Sequence, residues 1–247
     1  MLSRELDTFS VRWTLEEVGK CLPPVTHTLL EIDLPDLKPH EEMRREMVKL
    51  LRSPDPLAKG HALAMMGRMI QWTGEQKVRY VAQVVEERLR GGESPVVFSD
   101  FLAPLAALRE HFKGRSITLD GSMSQQVREQ AVDHFLASDE PLAVLASRRA
   151  VGIGLDGLQK KSRTCIWATL PFHGEAFKQG YGRLARTGQQ HPVEVITAIA
   201  RGTVDEAVLG IIYRKAKVTD VLCSSPALTP EGRADWESVL GLLGGLR

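Results

Sequence analysis

An α/β fold with a parallel sheet flanked by helices is what this sequence predicts, on three observations. From Pro95 onward, short wholly apolar runs alternate with amphipathic stretches at helical spacing, the pattern of a parallel sheet covered on both faces. The 247 residues give enough chain to bury a core without disulfide or metal staples. With 43% hydrophobic and 26% charged residues, the composition is that of a globular domain.

The elements follow in order. Residues 1–37 read as a lead-in that passes Leu22-Pro23-Pro24, where two prolines forbid a helix, and then carries one strand. In that strand Leu30, Ile32 and Leu34 fall on one side and Glu31 and Asp33 on the other. Residues 38–92 are expected to be a mainly helical extension. Met43, Met47, Leu50 and Leu51 recur at helical spacing up to Ser53-Pro54. A second helical stretch runs from Ala62 to Ile70, and a third carries Val78, Val81, Val85 and Leu89 to a stop at Gly91-Gly92. Residues 93–222 form the α/β lobe. Its strands are predicted at Val96–Phe98, Ser116–Leu119, Leu142–Ala146, Cys165–Ala168 and Val193–Ala198. Helices are expected from about Pro104 to Phe112, after a Ser122 or Ser124 cap, from about Gly174 to Arg186, and from Thr203. A tail, 223–247, ends in a short helix from Trp236 to Leu243. Right-handed crossovers would bring the strand ends, and so the functional loops, to one edge.

Charge and composition exclude several classes. Lys and Arg number 32 against 31 Asp and Glu, so net charge names no partner. No run is long enough to span a membrane, and Met1-Leu-Ser-Arg-Glu is no signal peptide, so an intracellular protein is expected, cytoplasmic or nucleoid-associated, or nuclear in a eukaryote. Cys21, Cys165 and Cys223 lie far apart and support neither a disulfide framework nor a zinc site, and no metal ligands are assigned.

Two familiar motifs fail in context. Gly152, Gly154 and Gly157 spell GxGxxG, yet a strand follows too soon for the crossover helix that a dinucleotide site requires. Asp205-Glu206 looks like the acidic pair of an ATPase strand, but Arg201-Gly202-Thr203 precedes it, and Thr203 with Glu206 has the spacing of a capping box. GxxxxGK[ST] occurs nowhere, so the chain lacks the loop that cradles a triphosphate.

The segment Gln179-Gly-Tyr-Gly182-Arg183-Leu-Ala-Arg186-Thr-Gly188-Gln189 is the most informative. On a helix, Gln179, Gly182, Arg183 and Arg186 would share a face, and paired guanidiniums suit phosphate oxygens. Between Arg148 and Arg186 eight basic residues face two acidic ones, a local net charge of +6 in a chain of +1, which suggests polyanion binding on the loop edge.

Those residues carry a resemblance. Gln179-x-x-Gly182-Arg183-x-x-Arg186 resembles motif VI of superfamily-two helicases, and the continuation Thr-Gly-Gln189 is the form typical of Swi/Snf-type DNA translocases. Ser147 to Asp156 resembles motif V, with Val151 where its first glycine is usual. Val96 to Phe101 resembles motif IV, Leu119 to Ser124 with Arg128 the segment after it, and Gly202 to Glu206 the closing helix. The acidic residue usual after the next strand is missing from Trp167-Ala-Thr-Leu-Pro171. The similarity runs from about Arg12 to Leu222 and implies a RecA-like second lobe: a P-loop NTPase-like fold without a P-loop.

The resemblance implies a C-terminal motor lobe of an ATP-dependent DNA translocase or helicase. Arg183 and Arg186 would be arginine fingers toward ATP, and Gln179 would orient them or the attacking water. Gly154 and Asp156 would meet the nucleotide, Asp156 either at its ribose, or pairing with a motif VI arginine, or as a simple turn residue. Ser99, Asp100, Gly121, Ser147 and Arg148 would hold the nucleic-acid backbone, with Lys160, Lys161 and Arg163 extending the track or lying on a solvated loop. Trp167 and Phe172 are stacking groups or, better, packing groups. ATP with magnesium would bind only once an N-terminal RecA-like lobe joins this one, in the same parent chain or as a separate subunit. The chain by itself is expected to be inactive. Its further partner would be DNA, in duplex form, and no membrane. The competing reading is a stand-alone nucleic-acid- or partner-binding lobe without ATP chemistry.

Overall fold

The computed structural model describes residues 22–147, 156–171 and 174–212. Within them six strands form one all-parallel sheet: β1 (Val25–Ile32), β2 (Val96–Ser99), β3 (Ser116–Leu119), β4 (Ala143–Ser147), β5 (Thr164–Trp167) and β6 (Val193–Ala200). Their spatial order is β1-β6-β5-β2-β4-β3. β2, β4 and β5 are buried along their whole length, as the mainly apolar central strands of a parallel sheet are, with Ser99, Ser147 and Thr164 at their ends. β1 is an edge strand, and only its end, Ile32, is deeply buried.

The helices are α1 (Lys38–Arg52), α2 (Ala58–Arg90), α3 (Leu102–His111), α4 (Gln125–Ala137), α5 (Gly174–Tyr181) and α6, helical from 204 to 212. α1 opens with Pro39 in its first turn, where a missing N–H costs nothing, and stops at Ser53, held extended before Pro54. The two stretches expected between Ala62 and Leu89 form one 33-residue helix, roughly 50 Å long. No proline interrupts 71–77, and Thr73 and Lys77 turn inward on the same stripe as Met66, Ile70 and Val81, so the buried face continues through a polar stretch. α4 is capped by Ser124, whose Oγ accepts from the Val127 amide at 3.3 Å. The sequence-predicted helix from 174 to 186 is shorter than expected: α5 ends at Tyr181, and residues 182–188 continue as turns.

Two cores lie on opposite faces of the sheet. On one, Val81, Val85 and Leu89 of α2 and Leu105 and Leu108 of α3 pack on Val97, Leu145, Ile166 and Ile196. On the other, α1, α4, α5, α6 and the first half of α2 cover Val96, Phe98, Val144, Cys165, Trp167 and Val195. The strand and helices expected to precede the lobe are therefore layers of the same sheet and core.

A buried polar cluster ties α2 to the start of α6. Lys77 Nζ donates to Asp205 Oδ2 and to the Ala198 carbonyl, each at 2.7 Å, with both charged side chains no more than 1% exposed. Asp205 also accepts from the Ala200 amide at 3.0 Å and from Thr73 at 3.2 Å. Its neighbour Thr203 accepts from the Asp205 amide at 3.3 Å, and Glu206 accepts from the Gly202 amide at 3.1 Å. The acidic pair is thus a helix-start device, as its sequence context predicted, with the extra task of neutralising a buried lysine. His40 Nε2 accepts from the Val204 amide at 3.0 Å, which requires a neutral ring. Burial lowers the His40 pKa, with Arg44 adding to the effect and the Asp205 and Glu41 charges opposing it.

Candidate functional site

All strands run the same way, so the segments after β2, β4 and β5 emerge at one sheet edge beside one another, where the chain order reverses. Thr169, just past β5, ties two of them together. Its hydroxyl lies 3.0 Å from Ser99 Oγ and accepts from the Asp100 amide at 2.9 Å. Nothing in the motif spacing points to Thr169; its one signal in the sequence is a hydroxyl just after an apolar strand on the edge that also carries Ser99.

The proposed backbone-contact residues divide. Ser99 is fully buried, and its Oγ donates to the Phe101 carbonyl at 2.8 Å and accepts from the Phe101 amide at 3.1 Å. Its side chain therefore fixes the turn after β2 and has no surface to offer a phosphate, which corrects the expectation. Ser147 is 5% exposed at the end of β4 and belongs to the interior as well. Asp100 is half-buried, and Gly121 is exposed on the turn after β3. That turn is fixed from within: Asp120 accepts from the Ser122 amide at 2.8 Å, and Arg128, 7% exposed, donates to the Met123 carbonyl at 3.0 Å. Hydrogen bonds from Ser122 hold the Asp120 carboxyl below its ordinary range. Arg148, Gly154 and Phe172 lie outside the described residues.

Two basic residues suggested for the track are engaged at the opposite, N-terminal edge of the sheet. Lys161 Nζ donates to the carbonyls of Phe135 at 2.9 Å, Ser138 at 2.6 Å and Glu140 at 3.2 Å, capping the end of α4. Arg163 pairs with Glu93 at 2.5 Å, and Glu93 also accepts from Thr164 at 2.9 Å. Burial alone would raise the Glu93 carboxyl, yet the hydrogen bonds from Arg163 and Thr164 and the nearby arginine charges bring it below the usual range. The Lys161 and Arg163 side chains are thus both engaged within the fold, away from the edge where β2, β4 and β5 end. Lys160 is exposed.

The motif VI residues come together differently from the helical reading. Gln179 sits exposed on the last turn of α5, while Gly182, Arg183 and Arg186 occupy the turns after it. There the amides of Gly182, Arg183 and Leu184 bond back to Lys178, Gly180 and Tyr181 at 2.9, 3.2 and 2.9 Å, so the backbone tightens out of α-helical register. Arg186 Nη1 lies 2.9 Å from Asp156 Oδ1, with the arginine side chain 36% and the aspartate 71% exposed. The same Asp156 oxygen also accepts from the Gly157 amide at 3.0 Å, so the aspartate both pairs with a motif VI arginine and fixes its own turn. The Arg183 guanidinium, on a half-buried residue whose amide bonds to Gly180, has no hydrogen-bond or ion-pair partner among the described residues. Gly157 follows Asp156 at φ +99°, a left-handed turn that suits glycine, and a single 3₁₀ turn, Leu158–Lys160, leads toward β5. The crossover helix of a dinucleotide site is absent there, as expected.

α5 rests on an aromatic floor. Trp167, fully buried, is stacked with Phe177 at 5.3 Å between ring centres and tilted against Phe98 at 5.1 Å. Trp167 is thus a packing group, the better of its two readings. His27 of β1 meets Tyr181 edge-on at 5.4 Å and Phe177 at 6.1 Å, and burial there lowers its pKa. The same interior raises the Cys165 thiol far above its ordinary value, leaving it inert. Among the described residues no helix is long and apolar enough to cross a membrane, and no cluster of His, Cys, Asp and Glu could hold a metal ion.

No protein-family model matches the chain. Among curated proteins, the human DNA annealing helicase and endonuclease ZRANB3 is 29% identical over 224 residues, covering 88% of this chain and 21% of that protein. A Drosophila melanogaster homologue of the SWI/SNF-related matrix-associated actin-dependent regulator of chromatin, subfamily A containing DEAD/H box 1, is 26% identical over 152 residues, 60% of this chain and 18% of that one. The chain thus spans about a fifth of the length of the curated relatives it matches. Among solved structures, the C-terminal part of the Fun30 ATPase domain aligns at TM-score 0.65 and 11% identity, covering 90% of this chain and 98% of that one. The Sulfolobus solfataricus SWI2/SNF2 ATPase core domain aligns at TM-score 0.66 and 19% identity over 96% of this chain and 52% of that one. The chain therefore has a RecA-like α/β fold like that of these ATPase domains.

Proposed function

We propose, from the premise that this chain is a Swi/Snf-like superfamily-two second lobe in sequence and fold, that it works as the C-terminal half of a DNA-dependent ATPase motor. The observation that carries this reading is the turn after α5. It presents Arg186 half-exposed on an exposed aspartate 2.9 Å away, three residues after an Arg183 whose guanidinium has no partner among the described residues. A guanidinium held by a solvated carboxylate can leave it when a more highly charged anion arrives, because exposed pairs of this kind are worth at most about 1 kcal/mol.

Transfer of a γ-phosphoryl group to water spreads negative charge over its oxygens, and a fork of N–H donors aimed at them lowers the barrier without covalent chemistry. In this chain Arg186 and Arg183 are the donors, and Gln179, exposed at the end of α5, lies on the same approach. Asp156 keeps Arg186 extended before nucleotide arrives and then accepts from the ribose or retains the second arginine. The triphosphate itself needs a phosphate-binding loop, which this sequence lacks, and an N-terminal lobe would supply it. Magnesium is not assigned to this chain: among the described residues no acidic cluster suits it, so the ion would belong to the other lobe and the nucleotide.

DNA would run along the loop edge near Asp100 and Gly121, and Arg148, which follows Ser147 in sequence, would add a cation. Contacts there read the phosphate backbone and not the base sequence. Relatives named as a DNA annealing helicase and a chromatin regulator fit translocation on duplex DNA. Closure of two lobes around nucleotide and their reopening would drive it.

The test is reconstitution. The chain alone and the first lobe alone should hydrolyse ATP no faster than buffer, whereas the two together should show DNA-stimulated turnover. DNA-stimulated hydrolysis by the chain alone, or none by the pair, would contradict the proposal; the latter with DNA binding intact would favour a binding lobe without ATP chemistry.

A further inference from the structure

What sets the position of the arginine turn is the packing beneath α5. Gly180 is buried between Gln179 and the turn, and a Cβ added there would stand 2.3 Å from Trp167 Cζ2 and 2.9 Å from Cη2. Contacts that short do not occur, so α5 reaches its present depth only because residue 180 has no side chain. Trp167 cannot yield easily: it is fully buried and wedged between Phe98 and Phe177. Its Nε1 is buried with no hydrogen-bond partner among the described residues. An orphaned donor disfavours the folded state, and phenylalanine would avoid it, so polarity does not explain a tryptophan here. What tryptophan adds is the six-membered outer ring, whose Cζ2 and Cη2 are the atoms that meet Gly180.

We infer that Trp167 and Gly180 act together as positioning residues for Arg183 and Arg186, the flat indole serving as the stop against which α5 is seated. This rests on the motor-lobe reading above. The Gly180 carbonyl accepts the Arg183 amide at 3.2 Å, so a displacement of residue 180 passes directly into the arginine turn. A shift of about 1 Å in a catalytic group can cost roughly a hundredfold in rate.

The experiment uses the chain joined with the first lobe and compares Gly180→Ala, Trp167→Phe, the double variant and Arg186→Ala. It measures kcat and KM for ATP with saturating DNA, and the melting temperature of each. Gly180→Ala should lose about a hundredfold in kcat with KM little changed, since the new methyl pushes α5 off its seat. Trp167→Phe should lose kcat by a smaller factor while its melting temperature stays close to that of the parent. The double variant should recover most of the Gly180→Ala loss, because phenylalanine lacks the atoms the methyl strikes. Additive losses in the double variant, or full kcat in either single variant, would overturn the inference. If Gly180→Ala does not fold, Trp167→Phe alone decides: parental kcat in a folded protein refutes the seat. Arg186→Ala separates the two readings. Its normal turnover would sink the finger assignment, whereas an inactive Arg186→Ala beside a fully active Gly180→Ala would sink only the positioning role.

Discussion

Replacing Asp205 by alanine should be among the most damaging single changes in the lobe. The aspartate carries three contacts: Lys77 Nζ at 2.7 Å, the Ala200 amide at 3.0 Å and Thr73 Oγ1 at 3.2 Å. Its removal leaves Lys77, 0% exposed, with the Ala198 carbonyl as its one remaining acceptor, and strips the Ala200 amide of its partner. Breaking a buried pair from one side typically costs about 3–5 kcal/mol, because the surviving charge stays desolvated. Whole domains are stable by only about 5–15 kcal/mol, so Asp205→Ala should sit near the threshold of folding. Lys77→Met should cost less, since the carboxylate keeps the Ala200 amide and Thr73 as donors. Lys77→Met with Asp205→Ala should cost less than the sum of the two. Urea unfolding followed by circular dichroism measures all three. A loss below about 1 kcal/mol for Asp205→Ala, the range of an exposed pair, would refute the reasoning, as would strict additivity.

Other outcomes follow from the same geometry. Burial lowers the pKa of His40 and His27 from 6.5, so the unfolded chain takes up protons first on acidification. Their contribution to stability should be complete above pH 6.5 and be lost as pH falls through the depressed folded values; urea midpoints that are flat or rising across that interval would contradict it. Lys161→Ala should destabilise the fold by about 1–2 kcal/mol through three abandoned carbonyls, yet leave DNA affinity unchanged, as a gel-shift titration beside a melt would report. If phosphates dominate binding, DNA affinity of the chain should fall steeply with salt, each neutralised phosphate adding roughly 0.9 to the slope of log K against log salt. A slope near zero would reject a backbone track.

Legibility from sequence followed burial. The central strands were readable because Val96, Val97, Phe98 and the run from Ala143 to Ala146 are buried on both faces and so carry no polar residue. The sequence divides α2 into two stretches because Thr73 and Lys77 break the apolar pattern, although both lie at helical spacing on the buried stripe. Their burial depends on Asp205, more than a hundred residues later, a partner no local window can see. The motif VI spacing identified the arginine segment, but not where its helix ends. The end is set by backbone bonds to Lys178, Gly180 and Tyr181 and by Trp167 from another strand. Ser99 illustrates the reverse error. A hydroxyl at a strand end looks available in sequence, and only the neighbouring Thr169 reveals that it is already engaged.

The central claim is that Arg186 completes a triphosphate site built by another lobe, and DNA-stimulated turnover of the joined lobes carrying Arg186→Ala tests it most directly. The ion pair it gives up is half-exposed, so the variant should melt close to the parent while kcat falls by about 10³-fold or more. A folded Arg186→Ala assembly that hydrolyses ATP at the parental rate would contradict the account.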